Sequence, residues 1–242
     1  MSTAYTRQPV IRQKQFCYKE LPIKTKGNCC FYEFYGNQDF VLIPDGNYYF
    51  LLDAETHKRV LFHGSELLNT LCFMKKNGHR YIGFCLSYEY SLDCEQEKVT
   101  DALEEMSICK TMEEAVRLCE KLLQDMISSK SKHPLLIYGV KRMRETKGCV
   151  AVESVSMDKG YTTRQVERIF KKYYDCSPKT MNRYIRLCNA LDMIEDNQSL
   201  SFSEISEILG YSDPSHFQRE FKFFTGLSPG RFSDIYFNRK NI

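Results

Sequence analysis

The sequence predicts an α+β chain: a mainly β N-terminal domain closing in a helical segment, followed by an all-α domain of tandem helix-turn-helix units. Three observations predict it. Before about residue 90, short runs rich in Tyr, Phe, Val and Ile are cut by glycines and by Pro44-Asp45-Gly46. From Thr111 the apolar spacing changes to three and four residues. Beyond Pro134, one two-helix plan is written twice, around Gly160 and again around Gly210.

The first runs, FCYKELPI, CCFYEFY, DFVLIPDGNYYFLLD and HRYIGFCLSYEY, alternate imperfectly, so they predict a small, partly curled sheet. Tyr48, Tyr49 and Phe50 follow the Pro44-Asp45-Gly46 turn. They are candidate effector-pocket residues, with packing in the sheet's core as the ordinary alternative. Next, Thr111-Met112-Glu113-Glu114 fits a capping box, with Thr111 capping and Glu114 reaching back. Met112, Ala115, Val116, Cys119, Leu122, Leu123, Met126 and Ile127 then form a helical stripe. That stripe over 111–127 either packs on the sheet or forms the seam of a homodimer.

The polar stretch Ser128 to His133, closed by Pro134, is the one convincing linker. It divides the chain into an N-terminal domain, 1–130, a linker, 131–134, and a helical domain, 135–242. PLLIYGVKRMRETKG reads as the first helix of the latter. Ser177-Pro178 opens a long helix, 178–196, whose apolar positions are Met181, Tyr184, Ile185, Cys188, Leu191 and Ile194. It joins two helix-turn-helix units, 150–177 and 202–228.

Charge separates the halves. The chain has 242 residues and a net charge of +3. From Lys130 onward, 19 Lys and Arg oppose 13 Asp and Glu, whereas the first 129 residues carry 15 against 18. The basic balance belongs to the helical half, as expected if only that half meets a polyanion. The opening MSTAYTRQPVIRQKQF lacks the apolar core of an export signal, and no run approaches the ~18 apolar residues of a membrane span. The expectation is a cytoplasmic protein with no membrane partner. The 11 cysteines form no C-x-x-C, so they read as reduced thiols, with no metal and no cofactor called for. No G-x-S-x-G, phosphate loop or carboxylate–His spacing points to catalysis, and no catalytic residue is assigned.

In each repeat, glycine suits the turn because it accepts positive φ without a Cβ clash. Ser212 and the Thr162-Thr163 pair are candidate N-caps for the second helices. At 100° per residue, Phe217, Phe221 and Phe224 share one narrow face, while Ser215, Arg219 and Lys222 project opposite with Gln218 at the flank. In the first copy Val166, Ile169, Phe170 and Tyr173 point inward; Arg164, Arg168 and Lys171 point out, with Glu167 at the flank. A basic solvated face is the ordinary explanation for one such helix. Two aligned copies favour double-stranded DNA, with Arg, Gln and Ser reading base edges in the major groove and the lysines meeting phosphates. Arg168 and Arg219 lie 51 residues apart, with the long helix between. One chain would then read two successive groove segments about one turn (~34 Å) apart, and its site need not be palindromic.

At these residues a family emerges. ISEILGYSDPSHFQREFKFFTGLSP resembles the signature I-A-x-x-x-G-F-x-D-x-S-x-F-x-R-x-F-K-x-x-x-G-x-[ST]-P of AraC/XylS-family transcription regulators. The first unit is similar to that family through TTRQVERIFKK, its own SP and the linker helix RYIRLCNALDMI. The resemblance implies base-contacting roles for Arg164, Glu167 and Arg168 in the first recognition helix, and for Ser215, Gln218 and Arg219 in the second. The sequence departs from the pattern in three ways, at four positions. Ser156 and Ser206 replace a small apolar residue, and each hydroxyl can return to a backbone carbonyl. Asp175 replaces the glycine after the first recognition helix. Glu167 favours a cytosine amino group or repels phosphate.

VLIPDGNYYFLLD is similar to a Pro-Asp-Gly-centred stretch in the sensor-like domains of some family members, and HPLLIYGVKRMRETKG suits that subgroup. YIGFCLSYEY echoes their G-x-R-F-x-P-G pattern without its Arg and Pro. The resemblance therefore implies a sequence-specific regulator whose N-terminal domain binds a small-molecule effector or a partner. RNA polymerase and a second copy are further candidate partners. Two other functions remain at this point: a methyl-accepting cysteine that repairs alkylated DNA, and a thiol-based redox sensor at Cys29-Cys30 or between Cys85 and Cys94.

Overall fold

The computed structural model describes residues 18–22, 30–35, 40–42, 48–62, 72–74, 78–86, 96–126, 133–174, 176–196 and 199–237. Among the described residues, seven strands come first: β1 (Tyr18–Pro22), β2 (Cys30–Tyr35), β3 (Phe40–Leu42), β4 (Tyr48–Asp53), β5 (Arg59–Phe62), β6 (Cys72–Met74) and β7 (Arg80–Leu86). Five build one antiparallel sheet in the order β1-β2-β7-β4-β5, while β3 pairs with β6. Aromatic residues occupy the central strands because large flat side chains fill a pleated surface and stack across it. Phe50 stacks on its cross-strand partner Phe84 at 4.6 Å, and Phe34 on Tyr81 at 5.1 Å.

Helices α1 (Gln96–Ser107) and α2 (Met112–Met126) pack together and cover one face of this sheet. Strand alternation sends Phe31, Tyr48, Phe50, Leu52, Ile82, Phe84 and Leu86 to that face, where they meet Val99, Leu103, Met106, Ala115, Cys119 and Leu123. Burying such side chains contributes about 1.5–3 kcal/mol each relative to exposure. The α2 stripe thus packs on α1 and the sheet; Ile127 and the side chain of Met126 lie outside the described residues. Thr111 does accept the Glu114 amide, at 3.2 Å, but the Glu114 carboxylate closes on the amide of Lys110 rather than Thr111. Helix α1 lies in a stretch whose sequence carries no clear helical signal.

The candidate effector-pocket residues lie inside the sheet. Tyr48, Tyr49 and Phe50 are only 7%, 5% and 4% exposed. The period of two sends Tyr48 and Phe50 toward the helices and Tyr49 to the other face, where its ring lies 6.5 Å from that of Tyr32. Tyr48 and Phe50 thus pack in the core between sheet and helices, the ordinary use of such side chains, while Tyr49 packs on the opposite face. Burial pushes the Tyr48 hydroxyl up to about 12.

Among the described residues, seven more helices follow: α3 (Pro134–Glu145), α4 (Val152–Met157), α5 (Thr163–Tyr174), α6 (Pro178–Asp196), α7 (Phe202–Ile208), α8 (Pro214–Thr225) and α9 (Pro229–Phe237). His133 caps α3 through its ring nitrogen, and Pro134 occupies the first turn, where its missing N–H costs nothing. One continuous core runs from Leu135 to Phe232, and α6 contributes Met181, Tyr184, Ile185, Leu187, Ala190, Leu191 and Ile194 to it. Cys188, expected among them, is half-buried at its edge. No described helix is long and apolar enough to cross a membrane.

Candidate nucleic-acid interface

Two helix pairs, α4–α5 and α7–α8, repeat the same turn bond by bond. Gly160 and Gly210 adopt φ of 68° and 64°, the left-handed region that glycine enters freely. The amide after each glycine reaches back five residues: Tyr161 donates to the carbonyl of Ser156 at 2.9 Å, and Tyr211 to that of Ser206 at 3.0 Å. Both serines are buried, at 4% and 2% exposure. The Ser156 hydroxyl donates to the Glu153 carbonyl at 2.7 Å, the return bond its position suggests.

The caps then diverge. Thr162 and Gln165 form a reciprocal box, with the Gln165 amide on the threonine hydroxyl at 3.3 Å and the Thr162 amide on the glutamine carbonyl oxygen at 2.8 Å. In the second unit the cap is Asp213, not Ser212 as the sequence suggested. Its carboxylate accepts the His216 amide at 2.7 Å, and Ser212 supports it by donating to Asp213 at 3.0 Å. The second turn is thereby one residue longer. That insertion explains why the glycines are 50 residues apart while the helices that follow align at 51.

At that offset the two helices match position for position. Inward, Val166 and Phe170 correspond to Phe217 and Phe221, all fully buried, and Tyr174 to Thr225, each 1% exposed. Tyr173 and Ile169, expected inside, are half-buried; Tyr174 supplies the third inward contact because the stripe follows a four-residue step. Outward, Arg164, Glu167, Arg168 and Lys171 correspond to Ser215, Gln218, Arg219 and Lys222. All eight are exposed. Among the described residues, no hydrogen bond or ion pair engages the guanidinium groups of Arg164, Arg168 or Arg219, so each keeps its donors for an external acceptor. The His216 amide and the Ser212 hydroxyl hold the Asp213 carboxyl below its ordinary range, and the charge of Arg219 adds to this.

Helix α6 packs against both α5 and α8 and carries them on one core. Its 19 residues span about 28 Å at 1.5 Å each, close to one ~34 Å turn of duplex. On its α8 side, Arg183 grips Glu220 with two bonds, Nε to Oε2 at 2.6 Å and Nη2 to Oε1 at 2.9 Å. These residues lie 37 apart in the chain, and nothing in either local segment announces the pair. Gly226 closes α8 at φ 73°; the matching Asp175 lies outside the described residues, as do Cys29, Cys94 and the side chain of Cys30.

Among the described residues, one group of metal-ligand type forms in the β-rich half. Donor atoms of Asp53, Glu55 and His79 lie within 4.8 Å of one another. Each is already engaged: Asp53 Oδ2 lies 2.7 Å from His79 Nδ1, Asp53 Oδ1 accepts the amides of Glu55 and Thr56, and Glu55 accepts the Arg80 amide at 2.7 Å. The arrangement closes the turn after β4.

Residues 158–234 match the family model of a helix-turn-helix domain. The HTH-type transcriptional regulator GbdR of Pseudomonas aeruginosa is 32% identical over 66 residues, which are 27% of this chain and 18% of that protein. The lactose operon transcription activator of Staphylococcus xylosus is 35% identical over 72 residues, 30% of this chain and 25% of that protein. The chain thus covers a quarter or less of these relatives' lengths. Among solved structures, ToxT from Vibrio cholerae aligns over 93% of this chain and 99% of its own, at 9% identity and a TM-score of 0.47.

Proposed function

Residues 158–234 are an AraC-type helix-turn-helix domain, and from that premise we propose that the chain is a sequence-specific, DNA-binding transcription regulator. Helices α5 and α8 enter successive major-groove segments of one duplex face. Arg168 and Arg219 fork onto guanine O6 and N7, Gln218 pairs with adenine, and Arg164 and Ser215 read the neighbouring base edges. Glu167 accepts from a cytosine amino group. Lys171 and Lys222, one turn further along each helix, meet phosphates and set register rather than sequence. The observation that carries this reading is the match of eight exposed side chains at one fixed offset, on two helices held by a single core.

The β-rich half has its own core, separate from that of the helical half. This supports a regulatory module that binds a small-molecule effector or a partner. Such a ligand shifts DNA binding only through unequal affinity for two states of the chain.

Selection of bound fragments from genomic DNA, followed by footprinting, tests the function. The expected result is a non-palindromic site protected over two major-groove segments about 10 base pairs apart. Protection of a single segment, or binding with no sequence enrichment, would overturn the tandem reading.

A further inference from the structure

The apolar contact beneath α8 does not by itself fix the helix's orientation. Phe217, Phe221 and Phe224 bury a continuous stripe, yet burial is non-directional, and a stripe of rings tolerates small rolls about the helix axis. A bidentate guanidinium–carboxylate pair is directional, because two parallel N–H···O bonds constrain rotation and slide together. Arg183 on α6 and Glu220 on α8 make that contact, with side chains 25% and 16% exposed, so water screens it only in part. The same guanidinium lies 4.9 Å over the ring of Phe223 and 5.2 Å over that of Phe224. Phe223 is otherwise 63% exposed, an unusual position for a phenylalanine that the Arg183 plane explains.

Glu220 is also the chain neighbour of Arg219, about 100° around the helix from it. Any roll that Glu220 prevents is one that would carry Arg219 away from its base. In the first unit the position matching Glu220 is Ile169, half-buried and apolar, so α5 has no such fork there.

We propose that Arg183 and Glu220 are positioning residues for base reading: their fork sets the angle at which α8 meets the duplex. The proposal rests on the DNA-reading function above. A rigid base-reading helix needs its supporting contacts as much as its reading contacts, and a small misplacement of a reacting or reading group costs heavily.

The test uses the full chain and the site it selects from genomic DNA, with base-pair substitutions under each groove segment, random DNA, and thermal unfolding of every variant. R183M is expected to lose about tenfold affinity for the selected site, with under about twofold on random DNA, and to flatten base preference in the α8 segment alone. R183K, which keeps the charge without the fork, is expected to recover less than half of that preference. The swapped variant R183E/E220R is expected to restore it. A native chain that selects a site while R183M reads it unchanged would overturn the proposal. So would a loss spread equally over both segments and random DNA, tracking lowered thermal stability, with no recovery in the swapped variant. A native chain that enriches no sequence would overturn the DNA-reading function, and the proposal with it.

Discussion

Helix α5 and helix α8 present side chains in the same register but are held by different chemistry. α5 starts from a neutral box, Thr162 with Gln165, and rests on Val166, Phe170 and Tyr174. α8 starts from the carboxylate of Asp213, rests on a stack of phenylalanines, and is tied to α6 by the Arg183–Glu220 fork. The outward faces differ too. α5 sets an acid, Glu167, between two arginines, whereas α8 carries Ser215, Gln218 and a single arginine. The two units therefore share the geometry that sets their exposed helices side by side on one core, while each helix has its own means of fixation and its own outward side chains. Geometry is the shared constraint, and residue chemistry is the variable.

The largest expected effect separates the two cores. Phe221 is fully buried and meets Phe217 and Phe232 edge-on at 5.7 and 5.4 Å. Phe221→Ala should cost about 3–5 kcal/mol by removing the ring and leaving a cavity. Hydrogen exchange should show lost protection in α7, α8 and α9 before α4 and α5. A variant with full native protection in α8 would show that the phenylalanine stripe is not what seats this helix.

Next come the two arginines at the shared position. Arg219→Ala and Arg168→Ala should each cost about 1–3 kcal/mol on the selected site and little on random DNA, each relaxing preference in its own groove segment. Loss of preference in the same segment for both would break the tandem arrangement. Lys222→Ala tests the contrast between reading and positioning. It should weaken specific and random DNA alike and reduce the salt dependence by roughly one phosphate contact. A change in base preference instead would move Lys222 from the phosphates to the groove floor.

How much of this was legible follows from distance along the chain. Helix α6 was readable to its ends, because Ser177-Pro178 starts it and its period never breaks. The turns at Gly160 and Gly210 were readable because positive φ leaves few residue choices. Asp213 was missed as the cap because Ser212 has a capping side chain as well, and only the one-residue insertion distinguishes them. Helix α1 was missed although Val99, Ala102, Leu103 and Met106 carry the right spacing; its many acidic and polar residues dilute the stripe. The sheet order and the Arg183–Glu220 fork join segments far apart in the chain, and nothing in a local window records such pairings. The split of the aromatic triplet was hidden for a related reason. Tyr48-Tyr49-Phe50 looks like one aromatic cluster in sequence, but a strand divides it between two faces.

The smallest expected effect turns the difference in caps into a pH dependence. The His216 amide, the Ser212 hydroxyl and, more weakly, the charge of Arg219 hold Asp213 below its ordinary value of 3.8. In the unfolded chain this carboxyl regains its ordinary value, so folding of α8 favours the ionised form. That stabilisation is complete above about pH 4 and is lost as pH falls through the depressed folded value. Glu204, held low by the hydroxyl and amide of Ser201, adds a second carboxylate cap of the same sign at α7. In the first unit, Ala151 gives α4 no side-chain cap, and α5 uses Thr162 and Gln165, which do not titrate. Amide exchange in α7 and α8 should therefore accelerate below pH 4 relative to α4 and α5. Asp213→Asn, which keeps a good capping oxygen, should remove part of that acid sensitivity while leaving α8 intact at pH 7. An Asp213 titration at or above 3.8, followed by NMR, would show that the aspartate is not the cap and return that role to Ser212.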